Sequence, residues 1–217
     1  MRITIMNASP KKKNSSSQQL MERLIPFLNG EEYGILEVNP EMDEKLALTA
    51  ASLSDAWIIV APVYVDSLPS SMLAYMDLLE AKVRKKGIKV GAILQSGFYE
   101  AENTELAMEL IRQWCAANDY TFAAGMGIGG GAALQKSAKI PTGRWYLKPF
   151  QKAYPVFVQA LKDGTGEVQS FSIGMPKRLY TWMAERQWKK AIRSQGLEEK
   201  DLSYQPEETN ENFSKGN

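Results

Sequence analysis

The residues best suited to chemistry lie in loops that each follow an apolar run. The first reads Asn7-Ala-Ser-Pro-Lys-Lys-Lys-Asn-Ser-Ser-Ser17, between the apolar run Ile3–Met6 and a helical pattern over Ser15–Leu28. Ser9, Asn14, Ser15, Ser16 and Ser17 offer four hydroxyls and an amide, and Lys11, Lys12 and Lys13 add positive charge. A helix starting behind them presents unpaired N–H groups and the positive end of its dipole. That combination suits a phosphomonoester. The loop is not G-x-G-x-x-G and lacks the Gly-Lys-Ser/Thr of a triphosphate-binding loop, so a pyrophosphate or a Mg-nucleotide fits it less well. The competing reading is a solvated turn in which a Ser or Asn merely caps the helix.

Three further loops repeat the arrangement. Ala61-Pro-Val-Tyr-Val-Asp-Ser-Leu-Pro69 follows the run Ala56–Ala61, and Gln95-Ser-Gly-Phe-Tyr-Glu100 follows Ile88–Gln95. The backbone N–H groups of Val63–Ser67 could bond the polar edge of a ring, and Tyr64 could pack beside it. Ser96 and Gly97 permit close approach, and Phe98 or Tyr99 could cover a ligand. Tyr64 and Phe98 serve equally well as core residues. The fourth loop, Gly125-Met-Gly-Ile-Gly-Gly-Gly131, suits either backbone approach to a ligand or a tight turn out of a strand.

What is missing narrows the chemistry further. The chain has no histidine and a single cysteine, Cys115. Catalytic triads, Cys-His dyads, histidine general bases and histidine-ligated zinc are therefore excluded, as is a disulfide framework. Reactivity must come from carboxylates, lysines, tyrosines, backbone amides or a cofactor. No metal site is expected, and Cys115 reads as core packing.

The loops must be positioned by the elements between them. Strand patterns at Ile3–Met6, Tyr33–Val38, Ala56–Ala61, Ile88–Gln95 and Thr121–Met126 alternate with helical patterns at Ser15–Leu28, Glu41–Leu53, Pro69–Val83 and Asn103–Asn118. Such alternation predicts an α/β fold, a doubly wound parallel sheet of five strands with ligands at the carboxyl ends. Closing helices are expected at Lys148–Lys162, kinked or started at Pro155, and at Pro176–Ser194.

Ala8-Ser-Pro-Lys11 with the Ser/Asn residues opening a helix resembles the Gly-Ser-Pro-Arg…Asn-Thr loop of NAD(P)H-dependent FMN reductases. Ala61-Pro-Val-Tyr…Leu-Pro69 is similar to their Thr-Pro-Val-Tyr-x-x-x-Met-Pro segment, and Ser96-Gly-Phe98 to their Ser-Gly-Phe-x-Glu. The resemblance spans residues 1–131 and implies a flavodoxin-like sheet in the order 2-1-3-4-5. It implies FMN as cofactor, its phosphate on Ser9, Lys11, Asn14, Ser15, Ser16 and Ser17. The ring would lie against Pro62, Val63, Tyr64, Val65, Asp66, Ser96, Gly97 and Phe98. NAD(P)H would be the electron donor, and a flavin, quinone or nitro compound the small-molecule acceptor. A homodimer is implied as well. Two departures stand out: Ala8 replaces glycine, and Lys11 keeps the charge of the usual arginine without its bidentate fork. No catalytic side chain is assigned, although Tyr64 and Tyr99 are candidates for stacking or proton donation. A flavodoxin-type electron carrier and a non-enzymatic binding protein of the same fold are the alternatives.

The chain has 217 residues, 44% hydrophobic and 24% charged, with a formal net charge of +1. That balance conceals 12 Lys/Arg against 3 Asp/Glu over residues 136–193 and 2 against 6 over residues 198–217. The organisation read from it is a flavodoxin-like FMN-binding domain over 1–165, a helical extension over 166–197 packed on that domain or a partner, and an acidic flexible tail over 198–217. The basic helix at Pro176–Ser194 reads first as a packed surface helix. Contact with a membrane surface is the less favoured alternative, and nucleic acid is not expected. The opening Met-Arg-Ile-Thr-Ile-Met runs straight into a strand pattern without an apolar leader, and no run is long enough to span a bilayer. A cytoplasmic protein is expected.

Overall fold

The computed structural model describes residues 1–11, 13–136 and 144–203. Its elements are β1 (Arg2–Asn7), α1 (Ser16–Leu24), β2 (Glu32–Glu37), α2 (Glu44–Leu53), β3 (Ala56–Pro62) and α3 (Ser70–Lys82). They continue with β4 (Lys89–Gln95), α4 (Glu105–Ala117), β5 (Thr121–Gly129), α5 (Lys148–Asp163), β6 (Glu167–Ser172) and α6 (Lys177–Ser194). The chain divides into two compact units, Met1–Met175 and Pro176–Asn217.

The first unit is built on one parallel sheet in the order β2-β1-β3-β4-β5-β6. The expected five strands and their order are present, and a sixth extends the edge. β6 pairs with β5 from Ala124↔Glu167 to Gly129↔Ser172. Its sequence, Glu-Val-Gln-Ser-Phe-Ser, is short and mostly polar because an edge strand buries little, so no strand pattern announces it. Gly164 and Gly166, at φ 74° and 73°, turn the chain from α5 into it. The first unit therefore runs past residue 165 to Met175, where the sequence places a helical extension.

β3 is buried along its whole length, as its continuous apolar run requires between two helical layers. One layer is α2, α3 and α4 over Trp57, Ile59, Val90 and Ala92. The other is α1 and α5. Gly91 of β4 makes room there for the Phe157 ring, since a Cβ would stand 2.8 Å from its Cζ. Pro155 lies inside α5 and does not start it. On α2 the apolar pattern misleads: Leu46 and Leu53 are exposed, while Ala47 and Ala51 are buried. The small residues let α2 sit close enough for its carbonyls to accept from Tyr75 Oη (2.9 Å, at Ala47) and Trp57 Nε1 (3.0 Å, at Ala51).

Glu31, just before β2, accepts from Lys162 Nζ on α5 and from the Met1 amino group, both at 2.7 Å. The Lys162 bond first, and the amino group next, hold its carboxyl below the usual 4.5. A lowered folded-state pKa gives stability that is present above the unfolded value and lost as pH falls through the folded one. Glu31→Gln is therefore expected to flatten the acid limb of the stability curve, read as urea midpoints between neutral pH and about pH 3. No helix among the described residues is long and apolar enough to cross a membrane.

Candidate functional site

The carboxyl ends of β1, β3, β4 and β5 converge at one edge of the sheet, and β1 leads to neighbours on opposite sides, the switch point of such a fold. β1 ends at Asn7, whose Nδ2 donates to Glu37 Oε2 (2.8 Å) and whose Oδ1 accepts from the Ser9 N–H (3.3 Å). Ser9 Oγ accepts from the Lys11 N–H at 3.3 Å. Asn14, at φ 53°, then swings the chain into α1. The helix start is a reciprocal cap. Ser15 Oγ accepts from the Gln18 N–H (3.0 Å), and Gln18 Oε1 accepts from the Asn14 N–H (3.0 Å). Ser15 also takes the Gln19 N–H on its carbonyl, so helix geometry leaves the Ser16 and Ser17 N–H groups at the open end.

The serines divide into two sets. Ser9 lines a cleft of about 810 Å³ together with Lys13, Asn14, Glu37, Asn39 and Tyr64. Ser15, Ser16 and Ser17 are buried. Ser15 is the helix cap, and the Ser16 hydroxyl donates to the Gly131 carbonyl at 2.7 Å. The Ser17 hydroxyl is buried with no partner. Lys11 Nζ donates to Gln135 Oε1 at 3.1 Å, which draws it towards the turn after β5. Lys12 lies outside the described residues.

The second loop opens with Pro62 at the end of β3, and the Val63 N–H is spent on the Gln95 carbonyl (2.8 Å). Tyr64 and Ser67 then exchange backbone bonds (2.9 and 3.1 Å) around Val65 and Asp66, at φ 48° and 59°. Two successive positive φ angles make a type I′ turn. A β-branched residue rarely adopts such an angle, and backbone held in this way tends to mark functional positions. Of the five amides that the sequence offers to a ring edge, only those of Val65 and Asp66 lie at the turn's tip. Tyr64 is 54% exposed and is not core. The turn stands between two hollows. Tyr64 lines the first, and Asp66 lines a second of about 520 Å³ with Phe98, Glu100 and Leu106.

In the third loop Ser96 is buried, its Oγ accepting from the Phe98 N–H at 3.1 Å, and Gly97 has open space where a Cβ would stand. Phe98 is 70% exposed, so it too is not core. Tyr99 is a structural strut, its hydroxyl donating to the Met175 carbonyl at 2.7 Å. The glycine run proves to be close packing. A Cβ on Gly130 would stand 2.8 Å from Ile173 Cγ1, one on Gly129 would fall on the Tyr99 carbonyl, and one on Gly131 would fall on the Gln95 side chain. The Gly131 N–H donates to the Ser96 carbonyl at 2.8 Å.

Glu37, which ends β2, and Asn39 and Glu41, from the connection after it, also border the first cleft and were not anticipated from the sequence. The one usable signal was Asn7, a buried amide ending β1 that needs a partner on the next strand. Burial pushes the Cys115 thiol up to about 12, which removes it as a nucleophile.

The donor set fits FMN. A hydroxyl (Ser9), an amide (Asn14), a cation (Lys13) and two helix-end N–H groups suit a phosphate. The exposed Tyr64 and Phe98 flank a turn with outward amides, which suits a planar polar-edged ring. The cleft volume is also within the usual range for such ligands.

No protein-family model matches the chain, and no curated protein sequence matches it. Solved structures do. A WrbA-like flavodoxin from Agrobacterium tumefaciens is 8% identical with a TM-score of 0.53, over 76% of this chain and 97% of that one. An NADPH-quinone reductase from P. pentosaceus is 16% identical with a TM-score of 0.50, over 65% and 99%. An azoreductase from Bacillus anthracis is 12% identical with a TM-score of 0.50, over 77% and 100%. These likenesses establish the class: the chain has a flavodoxin-like fold.

Proposed function

We propose that this protein binds FMN and carries reducing equivalents from NAD(P)H to a small-molecule acceptor such as a flavin, a quinone or a nitro compound. The observation that carries this reading is the cleft at the β1/β3 switch point, lined by Ser9, Lys13, Asn14 and the exposed Tyr64. The solved structures of similar fold include a quinone reductase and an azoreductase, which is the same class of chemistry.

FMN, when bound, supplies the two-electron exchange between donor and acceptor. The chain's part is to hold and orient it. Ser9, Asn14 and the open end of α1 bind the phosphate, and Lys13 balances its charge. Tyr64 and Phe98 keep water from the ring faces. The Val65 and Asp66 N–H groups meet the polar edge, where they favour negative charge on the ring. A homodimer and a cytoplasmic setting belong to the same proposal, and sedimentation equilibrium checks the first.

The test is the visible spectrum of the purified chain, before and after FMN is added and the protein desalted. Retained flavin bands that NAD(P)H bleaches without oxygen support the reading. Bands that only dithionite bleaches indicate an electron carrier. No retained flavin and no saturable titration overturn it. Ser9→Ala is expected to raise the FMN Kd roughly thirtyfold, because a hydrogen bond to a charged group contributes about 2 kcal/mol. An unchanged Kd would remove Ser9 from the phosphate site.

A further inference from the structure

We propose that α6 docks the protein on an anionic lipid surface, lying in the plane of the headgroups. The second unit, Pro176–Asn217, contains this 18-residue helix, of which Tyr180 alone is buried. One arc of it is unusual in what it mixes. At about 100° per residue, Arg178, Arg186, Lys189, Lys190 and Arg193 share one arc of about 140°. Leu179, Trp182 and Met183 fall within that same arc, and all three are exposed. The helix's one carboxylate, Glu185, lies outside it. The Arg186 guanidinium stands 5.5 Å from the Trp182 ring centre, over its face.

Other occupants fit this face less well. An ordinary solvated helix face would not hold Trp182 54% exposed beside Leu179 and Met183. A protein partner buries apolar residues at a core from which charges are depleted, but here cations are interleaved with them. A lipid headgroup layer wants this mixture: cations at the phosphates, with Trp, Leu and Met a few ångströms deeper. Charge complementarity selects anionic lipid, since α6 itself carries six Lys/Arg against the single Glu185.

The free face is partly guarded. Glu199, in the short turn Glu199–Ser203, pairs with Lys189 (2.9 Å) and Arg193 (2.5 Å). These pairs are solvent-exposed, so lipid phosphates can replace Glu199 at little cost. Engagement of the face then releases an acidic turn.

The test uses the full chain sedimented with phosphatidylcholine vesicles, with and without phosphatidylglycerol. Binding is expected only with the anionic lipid, accompanied by a blue shift of tryptophan emission and quenching by brominated acyl chains. At about fivefold per cation near the surface, Arg186→Gln/Lys189→Gln/Arg193→Gln is expected to lose roughly a hundredfold in affinity. Trp182→Ala is expected to lose most of the quenching. Equal binding to both vesicles, or no binding to either, overturns the proposal. So does binding without quenching, or tighter binding to single-stranded RNA than to the anionic vesicles. The quenching is read on the unaltered chain, so it decides the matter even if a variant folds poorly. No step depends on bound flavin.

Discussion

Trp57→Ala is expected to lower the unfolding free energy by about 4 kcal/mol, within the usual range for truncating a buried tryptophan. Trp57 is the second residue of β3, paired with Thr4 on one side and Val90 on the other, and is fully buried. Its ring meets Tyr120 edge-on at 4.9 Å and Trp114 at 6.1 Å. Three elements therefore lose a common neighbour. The Ala51 carbonyl also loses its donor, Trp57 Nε1 at 3.0 Å, and an unpaired buried acceptor adds its own cost. The cavity cannot close easily, because α2 already lies close to the sheet through Ala47 and Ala51. Urea denaturation of the two proteins measures the difference. Trp57→Phe fills most of the space without the donor and is expected to recover about half of the loss. A cost below about 1.5 kcal/mol for the alanine variant would mean that α2 collapses onto the strand. In that case the cleft should change as well, because Asn39 and Glu41 precede α2 and line it.

The same residue shows why much of the fold was legible. Ala56–Ala61 is an unbroken apolar run, and only a strand covered on both faces can bury such a run. The four other strand patterns follow from the same period, whereas the order 2-1-3-4-5 came from the loop resemblance, because strand pattern alone does not separate it from the dinucleotide-binding order. Legibility stopped where burial is one-sided or where small residues decide contact. β6 carries only Val168 and Phe171 as apolar residues, and α2 packs through alanines while displaying its leucines. Within the site, position in the loop was readable but side-chain direction was not. Ser9 and Ser16 are the same residue type in the same loop. One lines the cleft, and the other bonds a carbonyl more than a hundred residues away in sequence. That partner, Gly131, comes to α1 through the turn after β5, which no local pattern near Ser16 reports. Glu37 was missed for a related reason, since its role arises from the register of β1 with β2, Asn7 opposite Glu37.

The glycine run offers the sharpest link between packing and site, and Gly129→Ala is the variant that exposes it. A methyl there would fall on the Tyr99 carbonyl oxygen and stand 2.7 Å from the Glu100 carbonyl carbon. Both obstacles are backbone, so no side-chain rotation relieves them. The loop is also pinned from several directions. Ser172 Oγ donates to the Tyr99 carbonyl at 2.6 Å, the Gly130 N–H to Phe98 at 2.5 Å, and the Tyr99 hydroxyl to Met175 at 2.7 Å. Making room must break some of these bonds, each contributing about 1 kcal/mol, on top of the overpacking itself. A loss of about 3 kcal/mol in stability is expected. Since the displaced segment carries Phe98, FMN affinity should fall in the fraction that stays folded. Gly97→Ala is the control within the same loop, because nothing lies within 4 Å of the added methyl. It should leave stability within about 0.5 kcal/mol of the parent. If Gly129→Ala were as mild as Gly97→Ala, the end of β5 would not be what fixes the Phe98 loop, and Phe98 would have to be positioned by its ligand instead. If Gly129→Ala destabilised the fold while the folded fraction bound FMN unchanged, Phe98 would lie outside the flavin site and Tyr64 alone would flank the ring.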